Sequence, residues 1–378
     1  MPRLIPAVVS VLLLLLVLHD AFEVMLLPRR VKSRLRIVRL FFRFTWLIWS
    51  RTARRISSPE TRHNYLSLYG PLSMVWLLVV WASGLIFGFG TLYWTINSGG
   101  VRLAWMSQLY FSGVTFFTLG YGDLVPHTSV ARLLVVLEAG TGLGFIAIVI
   151  GYLPVLYQLF ARREAKVILL DAVAGSPPSA VTLLARHAEA ESMPELDDLL
   201  HEWQQWCAEL MESQLSYPML AFYRSQHDNQ SWLAALTTVL DTCAVLMTQI
   251  RDVNTYQAQV TFAIARHAAV DLALVLRAKA PASALERLTA EQFTALRSSL
   301  EAAGVPLRDV AGGEEALRTL RANYEPFVRG IGERLLLIVP PLMTEDGVPD
   351  NWQRSAWMKP TPGIGKLPTP TPNEGHFG

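Results

Sequence analysis

The chain has 378 residues, 52% of them hydrophobic, and a mean hydropathy of +0.31. That is too apolar for an ordinary soluble protein, and two cysteines, Cys207 and Cys243, are too few for a secreted disulfide framework; free thiols in a reducing compartment are expected. The net charge of +2 conceals a division, because residues 1–62 carry +9, residues 63–160 are neutral and residues 161–378 carry −7.

Residues 4–27 are an apolar run of roughly 24 residues, long enough to cross a bilayer. His19, Asp20 and Glu23 interrupt it near one end. Arg3 followed by leucines also resembles a signal peptide, but no small-x-small cleavage site follows Leu18. Cleavage would also leave the basic stretch outside, against the positive-inside rule. A retained helix over residues 1–28, N-terminus outside, is therefore expected, with Asp20 and Glu23 pairing with nearby arginines at the inner headgroup level.

Residues 29–62 are strongly basic. Lys32, Arg36, Arg39 and Arg43 share one helical face, while Leu35, Val38, Phe42, Trp46 and Trp49 cover another. That pattern reads as an amphipathic helix lying on anionic headgroups. A voltage sensor would need a bundle of spans around it, and only one precedes it. Nucleic acid is not an expected partner of a stretch hemmed in by membrane spans. The second span, residues 71–95, carries Gly84, Gly88 and Gly90, which admit a close neighbour. Its Trp76, Trp81 and Trp94 read equally as interface anchors or packing residues.

After a turn at residues 97–102, residues 103–117 have the length of a short re-entrant helix, and Thr118-Leu119-Gly120-Tyr121-Gly122-Asp123 follows. Glycine and polar residues at membrane depth make sense only where protein buries them or they line a watery path. Aligning consecutive carbonyls needs φ values that a Cβ opposes, which explains Gly120 and Gly122. Such a row of carbonyl oxygens replaces the water shell of a monovalent cation.

Thr118 to Gly122 differ by one conservative change, Leu119 for valine, from the potassium-channel string TVGYG. Residues 72–160 thus resemble the pore module of bacterial potassium channels with two membrane helices and one pore loop. The resemblance implies a homotetramer in which Thr118, Leu119, Gly120, Tyr121 and Gly122 coordinate potassium as the permeant ion. Leu119 and Tyr121 would pack behind the filter as a spring, Thr115 would support it, and Tyr110 would hydrogen-bond Asp123. Val114 stands where some relatives carry a bracing carboxylate, a departure that separates this chain from their inactivation behaviour. His127, at the outer mouth, reads as an inert loop histidine more readily than as a titrating one.

Residues 130–160 are the expected pore-lining helix. Gly142, within a cluster with Gly140 and Gly144, falls where the resemblance places a gating hinge, and Gly151 with Pro154 offers a second bend. Glu138 is an ionisable group inside a span, a functional candidate by default. It would either face the pore and gather cations or sit behind the filter bonded to the pore helix, and its position four residues before Gly142 favours the second.

Beyond residue 160 the pattern is a soluble helical bundle, residues 161–340, with a linker at Gly175-Ser176-Pro177-Pro178. Helices are expected near residues 179–192, 195–214, 231–251, 256–278, 283–303 and 314–337, and a disordered tail over 341–378. No G-x-G-x-x-G follows a strand, and Gly363-Ile364-Gly365-Lys366 lacks the spacing of a phosphate loop. Asp198 with His201 and His267 with Asp271 read as surface pairs, and Trp203, Trp206, Phe222, Tyr223 and Trp232 as core. No cofactor is expected, though an unknown cytoplasmic ligand of the bundle is open.

The expected fold class is therefore an all-α membrane protein, a tetrameric pore-loop channel (pore module 63–160, filter 118–123) plus a soluble helical bundle. The expected function is a non-enzymatic, potassium-selective channel of the inner (plasma) membrane, gated by inner-helix bending under a cytoplasmic domain. A weakly selective cation channel and a membrane-anchored sensor or enzyme are the alternatives.

Overall fold

A computed structural model describes residues 3–25, 37–96, 104–226, 229–279, 288–308 and 312–343. The expected turn at 97–102, most of the expected tail and the start of the basic segment lie outside these residues. The described residues form α-helices joined by short turns and two 3-10 segments, with no strand among them. The fold is all-α, and the chain divides into two compact units at Leu159 and Phe160.

In the first unit, α1 (Leu4–Met25) runs antiparallel to α4 (Tyr69–Ile96). The pairing is legible residue by residue. Arg3 lies over the Trp94 ring at 5.4 Å, Leu14 meets Gly88, Val17 meets Gly84, and Trp81 Nε1 donates to Asp20 Oδ2 at 2.9 Å. A Cβ on Gly88 would lie 2.7 Å from Leu14, so the two helices touch at a distance only glycine permits. Asp20 accepts from the Trp81 indole and from the Val38 amide, 3.3 Å away, while the nearby arginines Arg29, Arg30, Arg34 and Arg36 lie outside the described residues. The carboxylate is only 2% exposed and joins α1 to α4 and to the first turn of α2 (Ile37–Ala53).

The aromatic side of α2 packs on protein. Trp49 stacks on Tyr65 at 4.4 Å and donates to its carbonyl, and Trp46 meets Tyr69 edge-on at 4.8 Å. Arg43 and Arg51 on the same helix are exposed. A short α3 (Pro59–Ser67), capped by the Ser58 hydroxyl, leads into α4.

The short helix α5 (Trp105–Phe116) precedes the Thr-Leu-Gly-Tyr-Gly segment, and α6 (Ser129–Ala174) follows it. The helix α6 outruns its expected end at residue 160 by more than three turns. Pro154 lies inside it without ending it, and the Ala-, Leu-, Arg- and Glu-rich run beyond favours helix continuation.

In the second unit, residues 160–174 of α6 are joined by α7 (Ala180–Glu189), α8 (Leu196–Ser216), α9 (Trp232–Gln249), α10 (Tyr256–Leu276), α11 (Ala290–Ala302), α12 (Gly313–Ala322) and α13 (Glu325–Leu335). By length and composition α9 and α10 would also cross a membrane, as would α1, α4 and α6. Nearly every residue of α9 is buried among the other helices, however, and that burial accounts for its apolar character. The 3-10 segment Pro218–Phe222 grips α6: buried Arg163 donates to the Leu220 and Tyr223 carbonyls, both at 2.8 Å, and pairs with Glu164. Trp203, Trp206 and Trp232 are core, and Phe222 and Tyr223 are half-buried.

Two expectations for this unit are corrected. The linker at Gly175-Ser176-Pro177-Pro178 is a packed corner, where the Ser179 amide bonds the Ala174 carbonyl and Thr238 donates to the Pro178 carbonyl. The single helix over 314–337 is two, because Pro326 lacks an amide hydrogen and suits only a first turn. Tyr324, at the break, is buried and bonds Asp241.

Candidate functional site

The pore helix α5 ends at Phe116, and the chain turns sharply. Thr118 donates its amide to the Thr115 carbonyl at 3.0 Å, and Leu119 donates to Val114 at 2.8 Å. Thr115 thus supports the turn through its backbone. The residues that follow alternate in backbone hand: φ is +54° at Thr118, +63° at Gly120 and +79° at Gly122, while Leu119 and Tyr121 stay at negative φ. A chain alternating left- and right-handed residues turns successive peptide groups to the same side, creating a row of like dipoles. A β-branched residue at positive φ is a costly outlier, of order 1–3 kcal/mol, of the sort concentrated at functional sites.

Residues 118–123 are exposed on the single chain, and Leu119 and Tyr121 remain 55% and 69% exposed. Neither side chain is packed behind the ribbon within the single chain, where the spring-like role was expected to place them. Beyond the ribbon, the Tyr110 hydroxyl bonds the Asp123 carboxylate. The outgoing loop, which carries exposed His127, is tied back by Arg132, which donates to the Pro126 carbonyl at 3.3 Å, and Thr128 caps α6.

Behind the ribbon, α6 grips the pore helix on two successive turns. Glu138 is fully buried. Tyr93 of α4 donates to its Oε2 at 2.7 Å, and Ser112 of α5 donates to its Oε1. The carboxylate is thus bonded to α4 and to the helix that precedes the ribbon. One turn on, Gly142 lies so close to the pore helix that a Cβ would fall 2.0 Å from the Phe116 carbonyl oxygen. At Gly142, expected as a hinge, the missing side chain permits a close approach, and α6 is unbroken through it. Gly140, Gly144 and Gly151 have open space, and Pro154 is exposed. Val114 is buried in the pore helix. Tyr93 and Ser112 were not singled out by the sequence, since an isolated tyrosine and serine in apolar helices carry no pattern until the fold brings Glu138 to them.

In the second unit, no group of three or more His, Cys, Asp or Glu residues suited to a metal occurs among the described residues. His201 lies 3.1 Å from Gln205, one turn along its own helix.

Residues 76–158, which contain the ribbon and both flanking contacts, match the model of a family described as ion channel. That stretch of the membrane part is similar to this family. Among curated proteins, the uncharacterized membrane protein YdjJ of Bacillus subtilis (strain 168) is 26% identical over 202 residues, 52% of this chain and 57% of its own length. Two-pore potassium channel 4 of Arabidopsis thaliana is 43% identical over 49 residues, 13% of this chain and 17% of its own. The chain therefore spans little more than half of the first relative and a small part of the second. No solved structure matches it. The matched residues comprise α5, the ribbon and parts of the helices that hold them, while most of the C-terminal unit falls outside the match.

Proposed function

We propose that this protein is a potassium-selective channel formed by four copies of the chain. Dehydrated potassium passes along the carbonyls of Thr118, Leu119, Gly120, Tyr121 and Gly122. The observation that carries the reading is the alternation of backbone hand at Thr118, Gly120 and Gly122, the pattern that a row of like-directed peptide oxygens around a cation needs. Exposure of that ribbon on one chain supports four-fold assembly, because polar backbone at membrane depth must be enclosed by protein or water. Likeness of a 49-residue stretch to a plant potassium channel supports the choice of ion.

The charge division supports a cytoplasmic C-terminal unit and an outside N-terminus of α1, in a plasma membrane whose anionic headgroups meet Arg43, Arg51, Arg54 and Arg55. The unbroken α6 carries motion of the C-terminal unit to the pore, with bending near Gly151 and Pro154, where nothing crowds the helix. No potassium-independent chemistry is assigned to the chain.

Purified full-length protein in liposomes tests this. The expected reversal potential follows the K⁺ gradient and ignores Na⁺, and Gly120→Ala abolishes the current. A reversal potential indifferent to K⁺ replaces the reading with a weakly selective cation channel, and a complete lack of flux removes the channel reading altogether.

A further inference from the structure

Three helices of the pore module meet at one buried carboxylate. Glu138 on α6 takes a hydrogen bond from Tyr93 on α4 and another from Ser112 on α5, and no part of it reaches solvent. The Ser112 hydroxyl also lies 2.9 Å from the Ile86 carbonyl of α4, so its single proton is shared between two acceptors on different helices. One turn further along α6, Gly142 abuts the Phe116 carbonyl, two residues before Thr118. Leaving a carboxylate in an apolar interior is costly unless its hydrogen bonds are met, so this junction tolerates little displacement of any of its helices. Ser112 sits on the pore helix a turn and a half before the strained Thr118, and a shift of Ser112 is a shift of the ribbon.

We propose that Glu138 is a positioning residue for the ion-conducting ribbon: through Ser112 and Tyr93 it holds the pore helix at the height and tilt that keep Thr118 to Gly122 in register. It follows that α6 bears on the ribbon directly at residues 138–142, so a movement of α6 there alters conduction at the filter itself, apart from any constriction further along the helix. The inference rests on the channel reading above.

The test uses the full-length chain in liposomes with Glu138→Gln, Glu138→Ala and, as milder probes, Tyr93→Phe and Ser112→Ala. A glutamine keeps both contacts, accepting from Tyr93 and donating to the Ser112 oxygen, whose proton then goes to Ile86. Glu138→Gln is expected within about twofold of wild type in K⁺ flux and with unchanged K⁺ over Na⁺ preference. Glu138→Ala is expected to lose tenfold or more in flux or in ionic preference while assembling to the wild-type size on gel filtration. If alanine prevents assembly, Tyr93→Phe and Ser112→Ala decide, each expected to shorten open times or relax ionic preference in assembled channels. Wild-type open times and preference in assembled Glu138→Ala channels would overturn the proposal, as would their persistence in both milder variants if alanine does not assemble. A wild-type protein that passes no ions overturns instead the channel reading on which it stands.

Discussion

Threonine in left-handed conformation is the most telling single residue of this chain. Gly120 and Gly122 adopt positive φ at no steric cost, but Thr118 at +54° is held there against its own preference. The Thr115 and Val114 carbonyls, which accept from Thr118 and Leu119, hold it at the end of the pore helix. Gly142 poses the opposite problem, since its φ is ordinary and its constraint is a neighbour. A Cβ at that position would stand 2.0 Å from the Phe116 oxygen, which no real contact allows, so Gly142→Ala must push the pore helix away or straighten α6. Overpacking of this sort costs ~1–3 kcal/mol. The expected result is a lower melting temperature in detergent together with reduced K⁺ flux, whereas Gly144→Ala, which has open space, leaves both unchanged. A Gly142→Ala protein with undiminished stability and merely altered opening would return the residue to the role of a hinge. The motif of residues 118–122 was legible because glycine spacing records a backbone need. The role of Gly142 was not legible, because what a glycine touches is decided by another helix.

At the scale of helices, the sequence reads well wherever an apolar period runs uninterrupted and poorly where a tertiary contact decides. The spans α1 and α4, the pore helix and the bundle helices α7 to α10 follow from their patterns to within a few residues. The break between α12 and α13 escaped because Tyr324 continues the apolar period even as it leaves the helix to reach Asp241. The Asp20 contact escaped because Trp81 lies far away in sequence. The α8–α9 interface supports a prediction of its own. Cys207 of α8 and Cys243 of α9 are free and fully buried, and burial raises both thiols above the ordinary value of 9.0. The folded unit therefore holds these protons more tightly than the unfolded chain does. Stability from them is complete below pH 9 and falls as pH rises beyond it, by about 1.4 kcal/mol per thiol per pH unit. Tryptophan fluorescence of Trp203, Trp206 and Trp232 during urea unfolding follows this. Cys207→Ala/Cys243→Ala is expected to flatten the alkaline decline, and an unchanged decline would assign it to other groups.

At the scale of the whole molecule, the proposed channel needs more than one chain. Its ribbon faces open space, Leu119 and Tyr121 have no packing partners of their own, and α6 exposes Leu133, Val136, Leu143 and Ile150. Lipid covers apolar side chains but cannot hydrogen-bond a row of peptide groups, so on the proposed reading the missing surface comes from further copies of the chain enclosing an aqueous path. Closed rotational symmetry is the ordinary way for identical chains to supply it, and four-fold symmetry places four ribbons around one ion. Mixing wild-type chains with Gly120→Ala chains measures that number. If every subunit must contribute a sound ribbon, conduction falls as the fourth power of the wild-type fraction, and an equal mixture retains about one-sixteenth of the K⁺ flux. A linear fall, with half the flux left, would mean that each chain conducts alone, and a second-power fall would mean two chains per pore. The proposed four-fold pore requires the fourth-power curve, because each copy would then supply one quarter of the ion's shell.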